Sequence, residues 1–338
     1  MKLKHIENQV VVVMGASSGI GRETALRFAS NGANVVVSAR SEEGLRSLVE
    51  QIRAEGGEAT AVTADIAEFD HVEAVAQKTV GQYGRLDTWV HLAAVGLFAP
   101  FDRTRPEEFR RVVDVNLMGQ VYGAMAALPR IKGEGRGALV HVSSVVGKRS
   151  VPLQSAYCAS KHGVDGFLES LRVELVREGW KDIGVTNVMP AAINTPFFAK
   201  AHTKLGVKPK GVTVYQPGVV AGAILHSAEK SPREIVAGGA GKGLLLGQRL
   251  SPRLMDALMV RGGFGSQMTE EPKSTSDPDG LFASMKGQDR VEGDLSEEPT
   301  PRSLLTWLDI HPAAKWSVGA AATLVALTAL RRKSQGCS

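Results

Sequence analysis

The chain has 338 residues, a net charge of +5 and only 5% aromatic residues, which allows one large domain plus an extra segment, since a single core stops growing at about 250–300 residues. The basic residues are dispersed, without the clustered patch that a nucleic-acid partner requires, so nucleic-acid binding is excluded as a reading. Two distant cysteines, Cys158 and Cys337, make no disulfide framework, and no apolar signal core precedes the first strand, so a reducing, cytoplasmic setting is expected.

Short β-branched runs alternate with longer segments of helical spacing. Val10–Val13 leads into a helix over Ile20–Asn31, Val35–Ser38 into Glu42–Glu55, and Thr60–Val62 into Phe69–Tyr83. Thr88–Leu92 precedes a helix over Pro106–Leu128, whose start is marked by Thr104, Pro106 and Glu107. Ala138–Val142 precedes a helix over Tyr157–Glu178 that Gly179 can end, and Val185–Val188 is a sixth strand. This alternation means βαβ units, a parallel sheet buried on both faces and an α/β fold. From about Ser251 the character changes. Residues 1–250 read as one domain, 251–301 as an extended or partly disordered linker, and 302–338 as a tail with an apolar helix over about 313–330.

The first strand runs into Gly15-Ala16-Ser17-Ser18-Gly19-Ile20-Gly21. A glycine-rich turn between strand and helix lets the backbone approach a pyrophosphate, and the helix N-terminus favours its charge. A tight loop with no ligand is the plain alternative, but the flanking strand and helix argue for the dinucleotide. At the end of the second strand an acid would bind ribose hydroxyls. Ser38-Ala39-Arg40 stands there instead, and Arg40 offers a fork for a 2′-phosphate, which points to NADP(H), with Arg22 in reach to assist. Asp65 and Ile66 follow the third strand, where an Asp can contact adenine or can simply form a turn.

Tyr157 and Lys161 are i and i+4 on one helix face. A free tyrosine is a poor acid or base at neutral pH, and a nearby ammonium stabilises the phenolate. Alone, such a pair is common on exposed helices. Here Ser144 lies at the end of the fifth strand, facing the same crevice, and Asn116 is a polar residue among apolar neighbours in the helix after the fourth strand. His141 and His162 have no metal-ligand spacing, and no metal is expected.

Gly15–Gly21, Asn116, Ser144, Tyr157 and Lys161, in this order and spacing, resemble the short-chain dehydrogenase/reductase family over roughly residues 6–250. The resemblance implies a Rossmann-type, doubly wound parallel seven-stranded sheet, and NADP(H)-dependent exchange of a carbonyl and an alcohol. It implies a tetrad in which Tyr157 is the general acid/base, Ser144 orients the carbonyl, Lys161 lowers the Tyr157 pKa and holds the ribose, and Asn116 supports a proton-relay water. Cofactor contacts are implied at Gly15, Ser17, Ser18, Gly19, Ile20, Gly21, Arg40, Asp65, Ile66, Ala93, Asn116, Tyr157, Lys161, Pro190, Ile193 and Thr195. A homodimer or homotetramer through the helices bearing Asn116 and Tyr157 is also implied. Met14, His91-Leu92-Ala93-Ala94 and Pro190-Ala191 depart from the family's pattern around the cofactor. A catalytically silent NADP(H)-binding sensor or scaffold is the alternative function.

Thr195–Gln216 falls where the family has its substrate loop. Phe197 and Phe198 suit an apolar substrate. Lys200, Lys204, Lys208 and Lys210 either attract an acidic group or belong to a solvated loop. Trp316–Leu330 is apolar but would span only roughly 22 Å against a hydrocarbon core of ~30 Å. Membrane association through 313–330 therefore stands beside a helix docked on the protein.

Overall fold

The computed structural model describes residues 3–294, 298–311 and 314. The expected apolar helix over 313–330 lies outside the described residues except for Ala314. Among the described residues no helix is long and apolar enough to cross a membrane.

In chain order the elements are β1 (Val10–Met14), α1 (Gly19–Ser30), β2 (Asn34–Ala39), α2 (Glu42–Ala54), β3 (Glu58–Thr63), α3 (Phe69–Tyr83), β4 (Thr88–His91) and the short β5 (Leu97–Phe98). There follow α4 (Pro106–Val113), a π-helical turn over Asp114–Met118, α5 (Gly119–Glu134), β6 (Gly137–Val142), α6 (Ser155–Arg177) and β7 (Ile183–Pro190). The last part comprises α7 (Phe197–Lys200), β8 (His202–Thr203), β9 (Val207–Pro209), α8 (Pro217–Lys230), β10 (Glu234–Ala237), α9 (Gly239–Leu250), α10 (Pro252–Leu258), β11 (Met268–Pro272) and α11 (Leu304–Ile310).

Seven strands form one parallel sheet in the order β10-β7-β6-β4-β1-β2-β3, the expected doubly wound Rossmann-type arrangement. The order reverses at β1, so a crevice opens between the carboxyl ends of β1 and β4. Its central strands are apolar because helices cover both faces. Val11 and Val13 pack with Phe28, Leu45, Leu48 and Ile224 on one side, while Val12 packs with Val75, Trp89 and Leu168 on the other. Helix α2 shows why the pattern folds this way. Leu45, Leu48, Val49 and Ile52 recur at helical spacing and are buried, and the Ser41 hydroxyl caps the helix by accepting from the Gly44 N–H.

Two boundaries differ from the sequence reading. The single helix expected over Pro106–Leu128 is divided by the π turn into α4 and α5. The described part of residues 251–301, expected as an extended or partly disordered linker, includes α10 and β11 and packs onto the domain. Strand β11 pairs antiparallel with β9, and Thr300 bridges to Tyr215. Beside β1, His91 and His141 stand in register on β4 and β6 with their rings stacked, centroids 6.0 Å apart. Burial keeps both imidazoles neutral, His141 being drawn down to about 3.

Candidate active site

The crevice is a cavity of about 760 Å³. At one end lies the glycine turn. Gly15 has φ +91°, and a Cβ there would lie 2.7 Å from Ala93 Cα; a Cβ on Gly21 would lie 2.1 Å from the Gly15 carbonyl oxygen. Only glycine permits this close fold of strand into helix. Ser17, Ser18, Gly19, Ile20 and Gly21 all line the cavity, so the N-terminus of α1 faces it.

Arg40 lines the same end. Its Nη2 donates to the Gly280 carbonyl at 2.6 Å, while its Nη1 is buried with no hydrogen-bond partner among the described residues. The guanidinium is half-buried near the Asp65 carboxylate, and its buried Nη1 keeps a donor free to meet a further anion. Asp65 and Ile66 line the neighbouring wall. The Asp65 carboxylate accepts from Arg111 Nη2 at 2.7 Å and from the Ala67 N–H at 3.0 Å. Burial opposes its charged form, but Arg111 and these bonds outweigh it, and its pKa falls below the usual range. Arg22 takes a different place from the one expected. It is turned between α1 and α2, donating to the Gly44 carbonyl, Ser47 and Gln51, and ties the two helices together instead of facing the cavity.

At the other end Ser144, Tyr157 and Lys161 come together from the end of β6 and the first turns of α6. The Ser144 hydroxyl donates to the Pro190 carbonyl at 3.4 Å, and both Ser144 and Tyr157 line the cavity. Lys161 is almost fully buried, and its Nζ donates to the Val142 carbonyl at 2.9 Å. Burial draws its pKa down to about 8, opposed by Asp165. The expected lowering of the Tyr157 pKa is overturned for the chain by itself. Burial pushes that hydroxyl well above its ordinary value, Cys158 adds to the rise, and only Ser144 opposes it. The Lys161 ammonium is held against β6, 5.6 Å from the centre of the tyrosine ring, too far to offset desolvation.

Asn116 belongs to the site without lining it. It lies in the π turn, fully buried. Its Oδ1 accepts from the Val95 N–H at 2.8 Å and its Nδ2 donates to the Val95 carbonyl at 3.0 Å, fixing the loop after β4. Ala93, Pro190, Ile193 and Thr195, read above as cofactor contacts, line the cavity.

Above the centre, Phe197 and Phe198 line an apolar wall, and the Phe197 ring packs on Tyr157 with centroids 5.6 Å apart. The lid lysines serve separate ends. Lys204 pairs with Glu108 at 2.7 Å and Lys208 with Glu271 at 3.0 Å. Lys200, read above as attracting an acidic group or as part of a solvated loop, donates to the Ser18 hydroxyl at 2.7 Å, within the glycine turn. Burial draws its pKa down to about 8, against the pull of Asp289. Residues the sequence reading did not connect with the site complete the wall, notably Leu244, Met255, Leu258, Gly280, Ser284 and Met285. Among the described residues no group of acids, histidines and cysteines could hold a metal ion.

A short chain dehydrogenase family model matches residues 9–206. The chain belongs to the short-chain dehydrogenase family. The chain is similar to an uncharacterized oxidoreductase of Bacillus subtilis strain 168, YxnA, over a stretch longer than the family-matched region. The two are 38% identical over 285 residues, 83% of this chain and 80% of YxnA. Among solved structures, a metagenomic short-chain oxidoreductase in complex with NADP is 31% identical with a TM-score of 0.58, covering 68% of this chain and 96% of its own. A variant of actinorhodin polyketide ketoreductase with NADPH is 35% identical with a TM-score of 0.53, covering 56% of this chain and 73% of its own. The protein is accordingly an oxidoreductase of this family.

Proposed function

We propose that this protein is an NADP(H)-dependent oxidoreductase that interconverts a carbonyl and an alcohol on an apolar small molecule, with residues 1–250 as its catalytic domain. The observation that carries the cofactor reading is the unused, buried Arg40 Nη1 on the cavity that Ser17 and the glycine turn also line. It fits a 2′-phosphate, and the tight turn, which a Cβ at Gly21 would force open against the Gly15 carbonyl, brings the N-terminus of α1 to the cavity for a pyrophosphate. The NADP and NADPH complexes of similar structures support the same cofactor.

When bound, the nicotinamide supplies or accepts the hydride. The residues of this chain handle the proton and the geometry. Ser144 and Tyr157 present two hydroxyls to one carbonyl oxygen. In reduction the Tyr157 O–H gives its proton to that oxygen as the carbonyl carbon gains the hydride, leaving a phenolate that Ser144 stabilises by hydrogen bonding. Tyr157 is protonated at neutral pH, the form the acid role in reduction needs, although burial makes it a weaker acid in the chain by itself. Lys161 holds the ribose and, with a pKa near 8, can return a proton to Tyr157. Phe197, Phe198 and Leu244 make the substrate end apolar.

The protein is proposed to work in the cytoplasm as a homodimer or homotetramer. Exposed apolar residues on α5 and α6, Met125, Val173 and Val176, support pairing through these helices.

The deciding test is a panel of ketones, aldehydes and quinones followed with NADPH and NADH. Turnover is expected with NADPH and should fall by about 100-fold or more in Tyr157→Phe, with NADPH still bound. Turnover unaffected by that substitution, or a clear preference for NADH, would overturn the reading.

A further inference from the structure

The segment from Gly280 to Gly293 has little regular structure, yet it contacts the phosphate end of the cleft along its length. The Gly280 carbonyl accepts from Arg40 at 2.6 Å, and the Gly280 N–H donates to the Lys200 carbonyl at 2.7 Å. Leu281 is buried among the side chains near Ile66, and its carbonyl accepts from Arg111 Nε at 3.1 Å. Farther on, the Arg290 carbonyl accepts from the N–H of Gly19, the first residue of α1, at 2.8 Å. Gly293 lies so close to the lid base that a Cβ there would stand 2.4 Å from the Thr195 carbonyl oxygen.

Between these points Asp289 is wedged at the start of α2, its Oδ1 2.2 Å from where a Gly44 Cβ would stand. That oxygen is buried with no hydrogen-bond partner among the described residues. Its charge faces Arg22 and Lys200. The segment thus rests against Arg40, the glycine turn, Lys200 and Thr195. It does not fill the cleft. The cavity persists beneath it, and Gly280, Ser284 and Met285 line it from outside.

We propose that residues 280–293 form a strap that closes over the phosphate-bearing half of the cofactor, so that the cofactor enters and leaves only when the strap lifts. The proposal rests on the NADP(H) reading above. It assigns two roles to residues outside the family-matched region. The Gly280 carbonyl holds the strap to Arg40 and the Arg290 carbonyl holds it to the start of α1, while Asp289 holds it to the cationic pair Arg22 and Lys200. Lys200, on the lid, faces both strap and turn and is assigned as an additional phosphate-binding residue.

The close approach of Asp289 to Gly44 supplies the test. In a Gly44→Cys/Asp289→Cys protein with Cys337→Ser, the strap can be locked to α2 by oxidation and freed by a reductant. NADPH binding and release are followed by its fluorescence, with an excess of NADP as chase. Protein oxidised after loading is expected to release NADPH at least about tenfold more slowly than the reduced form, and protein oxidised empty to take it up at least about tenfold more slowly. Equal rates, with the disulfide verified by mass spectrometry, would overturn the strap. So would failure of the two cysteines to join while both react with a thiol reagent. Should wild-type protein bind no NADPH, the fault lies with the cofactor reading itself. In Lys200→Met, NADPH affinity is expected to fall about tenfold and to depend less on salt; an unchanged affinity would remove Lys200 from the phosphate site.

Discussion

Lys161 carries a charge in a place that disfavours it. With a folded pKa near 8 against an ordinary 10.5, it binds fewer protons folded than unfolded between those values. Stability therefore rises with pH across that window as far as this group is concerned, and is insensitive to it well below. Denaturant unfolding of wild type and Lys161→Met from about pH 8 to about pH 10.5 checks the sign. The wild-type curve should gain on the variant as pH increases. A constant difference would mean that Lys161 titrates normally. NADP(H) binding should shrink the effect, because an ammonium beside a ribose hydroxyl regains a partner. Tyr157 and Lys161 were legible in the sequence as a pair, from their spacing and from Ser144. The direction of the Tyr157 shift was not, because burial is a property of α6 packed against the sheet, and spacing carries no depth.

The π turn matters at the scale of the element. An extra residue in the turn rotates the helix that follows, and Asn116 is set inward at that point, against the loop after β4. Asn116→Ala would leave the buried Val95 N–H and carbonyl without these partners. A loss of about 2 kcal/mol or more is expected in urea unfolding, together with weaker NADPH binding. A variant as stable as wild type would show that Val95 finds other partners. Regular elements were readable: in α3 the residues Val72, Val75, Ala76 and Thr79 recur at helical spacing and are buried, and the expected span Phe69–Tyr83 is the observed one. The π turn was not, since Val112, Val115 and Leu117 continue a helical pattern through it. The strap was hidden for another reason. Its main contacts use the carbonyls of Gly280, Leu281 and Arg290, and backbone groups leave no trace in the identity of a residue.

For the whole molecule, the sheet order fixes where chemistry can occur. The reversal at β1 gathers the glycine turn, Arg40, Ser144 and Lys161 from elements far apart in the chain. The part beyond residue 206, outside the family-matched region, supplies the rest of the enclosure. Helices α9 and α10 close the apolar end with Leu244, Met255 and Leu258, and the strap borders the phosphate end. The proposed assignment to apolar substrates thus rests in part on residues outside the family-matched region, and composition alone could not place them. A chain ending at about residue 250 is expected to lose thermal stability and NADPH affinity together, because β11, the strap and α11 all pack on the domain. Thermal unfolding and NADPH titration of such a chain measure both.

The lid is also joined to the stretch of chain that leads into the strap. Strand β11 pairs with β9 of the lid, Lys273 donates to the carbonyls of Ala199 and Ala201 at 2.6 and 2.8 Å, and His202 meets Asp279 at 2.7 Å. Two doors hung on one frame impose an order of traffic. The dinucleotide must be seated before the frame settles, and the small molecule then arrives and departs while the dinucleotide stays. Initial-rate kinetics should show a compulsory sequence, with NADP competing only against NADPH and the alcohol product giving mixed inhibition against both reactants. A random order of addition would mean that the two doors swing independently.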